Sequence, residues 1–151
     1  MLKYCRDKWD KNKEKLETAL REAENLNDCS YETLVEMVVE HILNPEAGYD
    51  DTYDKENITV IDNGDYQGTQ LFMIPTKTYQ PDESEYLLTF VSYGSCSGCD
   101  TLQSIQDWKE GKLTDSQVKE FMILCKDLVC NIIKPYNSGW RRDEKYEEIA
   151  E

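Results

Sequence analysis

The chain has 151 residues, 39% hydrophobic and 32% charged, and its 17 basic against 31 acidic side chains leave a net charge of −14. This length suits one domain, the composition is polar but short of a disordered chain, and no apolar run reaches the ~18–20 residues of a membrane span. The charge argues against direct nucleic-acid binding, which needs Lys and Arg at the phosphates, and favours a partner with a basic surface.

The charged, periodic stretch from Met1 to Lys15 does not read as a signal peptide. Residues 2–26 read as a helix, because Leu2, Cys5, Trp9, Leu16, Leu20 and Ala23 recur at helical spacing, with Lys13 interrupting the stripe. Ser30 can cap a second helix over 31–43, and Pro45 and Gly48 stop it. Residues 44–56 form an acidic loop. Strands follow at 57–62 and 69–75 around an Asn63-Gly64-Asp65 turn. A polar loop over 76–85 leads to a β-favouring run at 86–93, read as the central strand.

Gly94 to Cys99 make a tight loop, after which Asp100 and Gln103 predict a capping box for a helix over 100–108. Thr114 caps a long helix over 115–134, ended by Pro135, and residues 141–151 form a charged, helix-like tail. The predicted fold is α+β: a three-stranded antiparallel sheet packed against about four helices.

The acidity is local. Residues 27–90 carry two basic and 14 acidic side chains, whereas residues 1–26 are close to neutral. The candidate binding face is therefore Glu46, Asp50, Asp51, Asp54 and Glu56, together with Asp82, Glu83 and Glu85. Tyr49, Tyr53, Tyr79 and Tyr86 stand among these acids, as aromatic rings do on recognition surfaces. The acids of 50–56 lack the spacing and the glycine of a calcium loop, so a solvated loop is the better reading.

Six cysteines, at 5, 29, 96, 99, 125 and 130, in a chain with no secretion signal point to a reducing compartment and to thiols used as core fillers, metal ligands or redox groups. Cys96-Ser-Gly-Cys99 can place two sulfurs on one tetrahedral zinc, and the helix start that follows would favour thiolate. Two more ligands are needed. Cys125 and Cys130 are five residues apart, so on an unbroken helix they diverge by about 140° and cannot both serve. Cys130 is expected as the third ligand, with Cys125, Cys29, His41 and Asp127 competing for the fourth place. The rival reading of the Cys96/Cys99 pair is thiol–disulfide exchange, since strand, CxxC and helix is the local order of thioredoxin-like sites. No phosphate loop, HExxH motif or nucleophile with a matching histidine signature is present.

The run from Val91 to Gln103, Val-Ser-Tyr-Gly-Ser-Cys-Ser-Gly-Cys-Asp-Thr-Leu-Gln, with the later Phe121–Val129 helix, resembles small uncharacterised phage and prophage proteins over about the C-terminal half. Some small acidic phage proteins of this size are anti-CRISPR inhibitors of the type II RNA-guided nuclease. The resemblance implies a zinc-bearing inhibitor with Cys96 and Cys99 as ligands, working in the cytoplasm of an infected or lysogenic bacterium. The expected function is non-enzymatic: stoichiometric binding to a basic protein surface through the acidic face, with a structural zinc, no direct nucleic-acid contact and no membrane. The alternative is a thiol–disulfide oxidoreductase using Cys96 and Cys99.

Overall fold

The computed structural model describes residues 2–135, the Asp50 side chain excepted. The expected tail at 141–151 lies outside the described residues. The architecture is α+β as predicted. Helix α1 (Lys3–Glu22) leads through a short 3-10 turn, Leu26–Asp28, to α2 (Tyr31–Val38), which continues as a π-turn over Val39–Leu43. Strands β1 (Thr59–Asp62), β2 (Gly68–Pro75) and β3 (Tyr86–Tyr93) form one antiparallel sheet in that order. Helices α3 (Thr101–Ile105) and α4 (Asp115–Cys130) follow.

The stripe on α1 does not break at its middle. The residue that completes it is Asn12, fully buried between Trp9 and Leu16. Its side-chain amide donates to the Ile42 carbonyl at 2.9 Å. That carbonyl lies in the π-turn, where the i+5 pattern disturbs the ordinary helical pairing, so a buried amide meets a backbone acceptor there. Position 12 is polar and Lys13 is charged, which is why the pattern looks interrupted.

One sheet face is covered by helices. Phe72, Ile74 and Leu87 are fully buried on it, and the Thr89 hydroxyl donates to the Leu128 carbonyl of α4 at 2.6 Å. On α4, Val118, Phe121, Leu124, Cys125, Leu128 and Val129 face this core; burying each large apolar side chain contributes about 1.5–3 kcal/mol. The other sheet face carries Ile61, Leu71 and Phe90 in one cross-strand row, with Ile61 and Phe90 exposed.

Three helices end earlier than predicted: α1 stops at Glu22, and α3 and α4 also stop short. The chain leaves α3 after Ile105 because Gln106 turns inward, its side-chain amide donating to the carbonyls of Leu26 and Cys29 at 2.9 and 3.0 Å. Asn27 bonds the backbone of Asp107 and Lys109, and Trp108 takes a positive φ of 61°. These contacts hold 106–109 outside the helix, on a path that the helical pattern does not announce. Helix α4 stops at Cys130. Ile133 pairs as a β-bridge with Leu88, in both directions, at 2.8 and 2.9 Å. The apolar pattern runs on through Ile132 and Ile133, but the residue before a proline is pushed away from helical geometry, and the sheet edge offers the freed backbone its partners.

The sheet's two ends carry different chemistry. The strands pair so that Pro75 faces Tyr86 at one end and Gly68 faces Tyr93 at the other. The acidic loops leave the first end, and the Cys96/Cys99 loop leaves the second.

Candidate functional sites at the two ends of the sheet

At the Pro75 end, the two acidic segments are joined through the chain between them. Asp54 N–H donates to the Pro75 carbonyl at 2.8 Å, Lys77 N–H to Thr52 at 2.9 Å, and Thr76 N–H to Glu85 at 3.0 Å. Tyr53 is buried and bridges Thr76. Residues 51–56 and 82–85 are thus neighbours, though 25 residues of chain separate them.

Several carboxylates there hold the loop itself. Asp54 accepts from Glu56 N–H at 3.0 Å and from the Asn57 side chain. Asp82 and Glu85 form a reciprocal capping box around the turn Glu83–Glu85. Glu46, at a φ of 63°, is paired with Lys11 and lies near Lys15 of α1; the Lys11 hydrogen bond is the largest cause holding its pKa below the ordinary carboxylate value. Asp51, Glu56 and Glu83 are exposed. Tyr49 and Tyr79 are 89% and 97% exposed. Among the described residues, the candidate face therefore reduces to a compact acidic surface with two projecting rings.

At the Gly68 end, buried Asp100 organises the loop. Its carboxylate accepts from Gly94 N–H and Gln103 N–H, both at 2.9 Å, and from the Tyr31 hydroxyl at 3.1 Å. The expected capping box is half realised: the Gln103 side chain donates instead to the Gly94 carbonyl at 3.2 Å. Both ends of the loop are thereby pinned while residues 95–99 stay exposed. Gly94 is required for this. A Cβ there would meet the Cys99 carbonyl oxygen at 2.4 Å and its Sγ at 2.7 Å.

The sulfurs of Cys96 and Cys99 stand 2.8 Å apart, and Cys99 Sγ accepts from Cys96 N–H at 3.1 Å. The hydrogen bond from the Cys96 thiol is the main reason the Cys99 pKa lies below that of an ordinary thiol.

The other expected ligands are elsewhere. Cys125 is fully buried, pushed up to about 12 by desolvation, with Cys29 as its electrostatic neighbour. Cys130 ends α4 and is the electrostatic neighbour of buried Cys5. Cys29 meets the Gln106 amide at 3.7 Å, and His41 lies beside Glu40. Every cysteine and the single histidine lie among the described residues. Among those residues no group of three or more His, Cys, Asp or Glu side chains stands where it could hold a metal ion. The structure thus brings Cys96 and Cys99 together, with no third expected ligand beside them among the described residues.

The sequence reading missed Asp100 as the loop's anchor, although Asp100 followed by Gln103 carried the signal as a cap. It also missed Tyr31, whose hydroxyl reaches the loop from a distant helix, a contact that no local pattern encodes. Among the described residues no helix is long and apolar enough to cross a membrane. Comparison with family models, curated proteins and solved structures returns no match to this chain.

Proposed function

We propose that the chain is a binding protein that acts by occupancy, docking the acidic end of its sheet on a basic protein surface. The observation that carries this reading is the joining of residues 51–56 to 82–85 through the Pro75–Lys77 backbone, which concentrates exposed carboxylates beside Tyr49 and Tyr79. Opposed potentials speed encounter and set orientation, and tyrosine rings add contact area at small entropic cost. A basic surface built to hold nucleic acid is the natural complement. The resemblance of the Val91–Gln103 run to phage proteins makes the type II RNA-guided nuclease the first partner to test; its heteroduplex lies in a positively charged channel.

The test is order of addition. Protein mixed with the guide-loaded nuclease before target DNA should block DNA binding at one molecule per nuclease; added after DNA, it should act weakly. The doubly reversed Glu56→Lys/Glu83→Lys chain should associate at least about tenfold more slowly at low salt, with a smaller salt dependence. Inhibition at substoichiometric protein, or binding indifferent to both salt and reversal, would sink the reading.

A further inference from the structure

The sulfur pair at the opposite end of the sheet has a chemistry independent of docking. Three observations converge on it. Cys96 and Cys99 are exposed, whereas Cys5 and Cys125 are buried. Their sulfurs are 2.8 Å apart, so an S–S bond of about 2.05 Å needs only a small approach. Both loop ends are already fixed through Asp100, with Gly94 opening the space that Cys99 fills. Closing a bond between groups held this way costs little conformational entropy, and it asks no movement of the buried helices.

We propose that Cys96 and Cys99 form a reversible dithiol–disulfide site that takes accessible low-molecular-mass disulfides, such as oxidised glutathione, as its oxidant. Cys99, on which the Cys96 N–H and thiol donors converge, attacks one sulfur of the disulfide. The S–S bond of the reagent breaks, a mixed disulfide forms on Cys99, and one small thiolate leaves. Cys96, losing its proton to solvent or to that thiolate, then attacks the Cys99 sulfur and expels the second. The two protein sulfurs are together oxidised by two electrons, and the reagent is reduced to two thiols. Excess small thiol runs the same steps backwards.

The experiment uses the full chain, equilibrated in buffers of graded reduced and oxidised glutathione, quenched in acid, alkylated and mapped by peptide mass. The Cys96–Cys99 peptide should lose two hydrogens as the oxidised form rises and regain them in excess reduced glutathione. Cys5 and Cys125 should take part in neither change. In Cys96→Ser the mixed disulfide on Cys99 should persist at least about tenfold longer than in the native chain, because its resolving thiol is gone. Gly98→Ala, whose added Cβ comes only within 3.9 Å of Cys96 Sγ, should behave like the native chain. Trapping the native chain with fast alkylating reagent reads the same steps without any substitution. Failure to form the disulfide in fully oxidised buffer, or equal persistence of the mixed disulfide with and without Cys96, overturns the proposal. So does one tightly held zinc per purified chain that is lost in Cys96→Ser/Cys99→Ser. None of these outcomes touches the acidic end, so the two readings fail separately.

Discussion

The two ends of the sheet use polar groups in opposite ways. At the Pro75 end, carboxylates sit at the surface and hold their own loops: Asp54, Asp82 and Glu85 accept from nearby backbone N–H groups and are exposed or half-buried. At the Gly68 end, one carboxylate is buried and does the holding for the whole loop, which leaves both sulfurs outside. An exposed acceptor that is removed can be replaced by water. A buried acceptor cannot, and its donors are left without partners. Substitutions at the two ends should therefore differ mainly in stability cost, although both ends face solvent.

Asp100→Ala should have the largest effect. It strips acceptors from Gly94 N–H, Gln103 N–H and the Tyr31 hydroxyl, and should cost about 3 kcal/mol or more in denaturant unfolding. Tyr31→Phe removes one of those contacts and also the acceptor of the Leu102 N–H, and should cost about 2 kcal/mol. Equal costs would mean that Asp100 is not the anchor.

Alkali should come next. Burial pushes Cys5 and Cys125 up to about 12 and is the largest cause raising Tyr31 to about 12. These groups keep protons in the folded chain that the unfolded chain releases. Their contribution is fully present below about pH 9, where unfolded thiols begin to ionise, and is lost as pH rises towards 12. Urea midpoints at pH 7, 9 and 10.5 should fall in that order. Cys5→Ala/Cys125→Ala should start lower and fall less steeply. A flat midpoint across that range would show that these groups titrate alike in both states.

The smallest stability change should come at the acidic end. Glu83→Lys alters an exposed side chain and should move stability by no more than about 0.5 kcal/mol, whatever it does to binding. A cost near that of Asp100→Ala would erase the contrast between the ends.

Most of the element order was legible, because helical and alternating periodicity report which face is buried. Ser30, Asp100 and Thr114 were legible as caps, and all three accept from the expected backbone N–H. The ends of α3 and α4 were not. What stops them is remote: Asn27 bonding the backbone of Asp107 and Lys109, and Leu88 pairing with Ile133, contacts between residues far apart in the chain. The same holds for the sites. The Cys96/Cys99 spacing was readable as a sulfur pair, but periodicity says only which face a helical cysteine takes, not which cysteine it will meet. Cys130 lies near Cys5 and Cys125 near Cys29 through packing of α4 on its neighbours. The acidic segments were readable as charge, and their union at one end depends on three backbone hydrogen bonds that composition does not reveal.

The pairing of Leu88 with Ile133 bears on what the sheet's edges offer to another strand. An unpaired sheet edge is a template for another strand. On the outer side of β3, both backbone groups of Leu88 are taken by Ile133, and the Phe90 carbonyl accepts from the Asn131 side chain at 3.2 Å. That leaves β1 as the open edge of the sheet among the described residues. It has only four residues and ends on Asp62, whose carboxylate would meet its own copy's in a parallel, in-register pairing. The chain leaving α4 thus covers part of the outer edge of β3, beside the exposed Phe90.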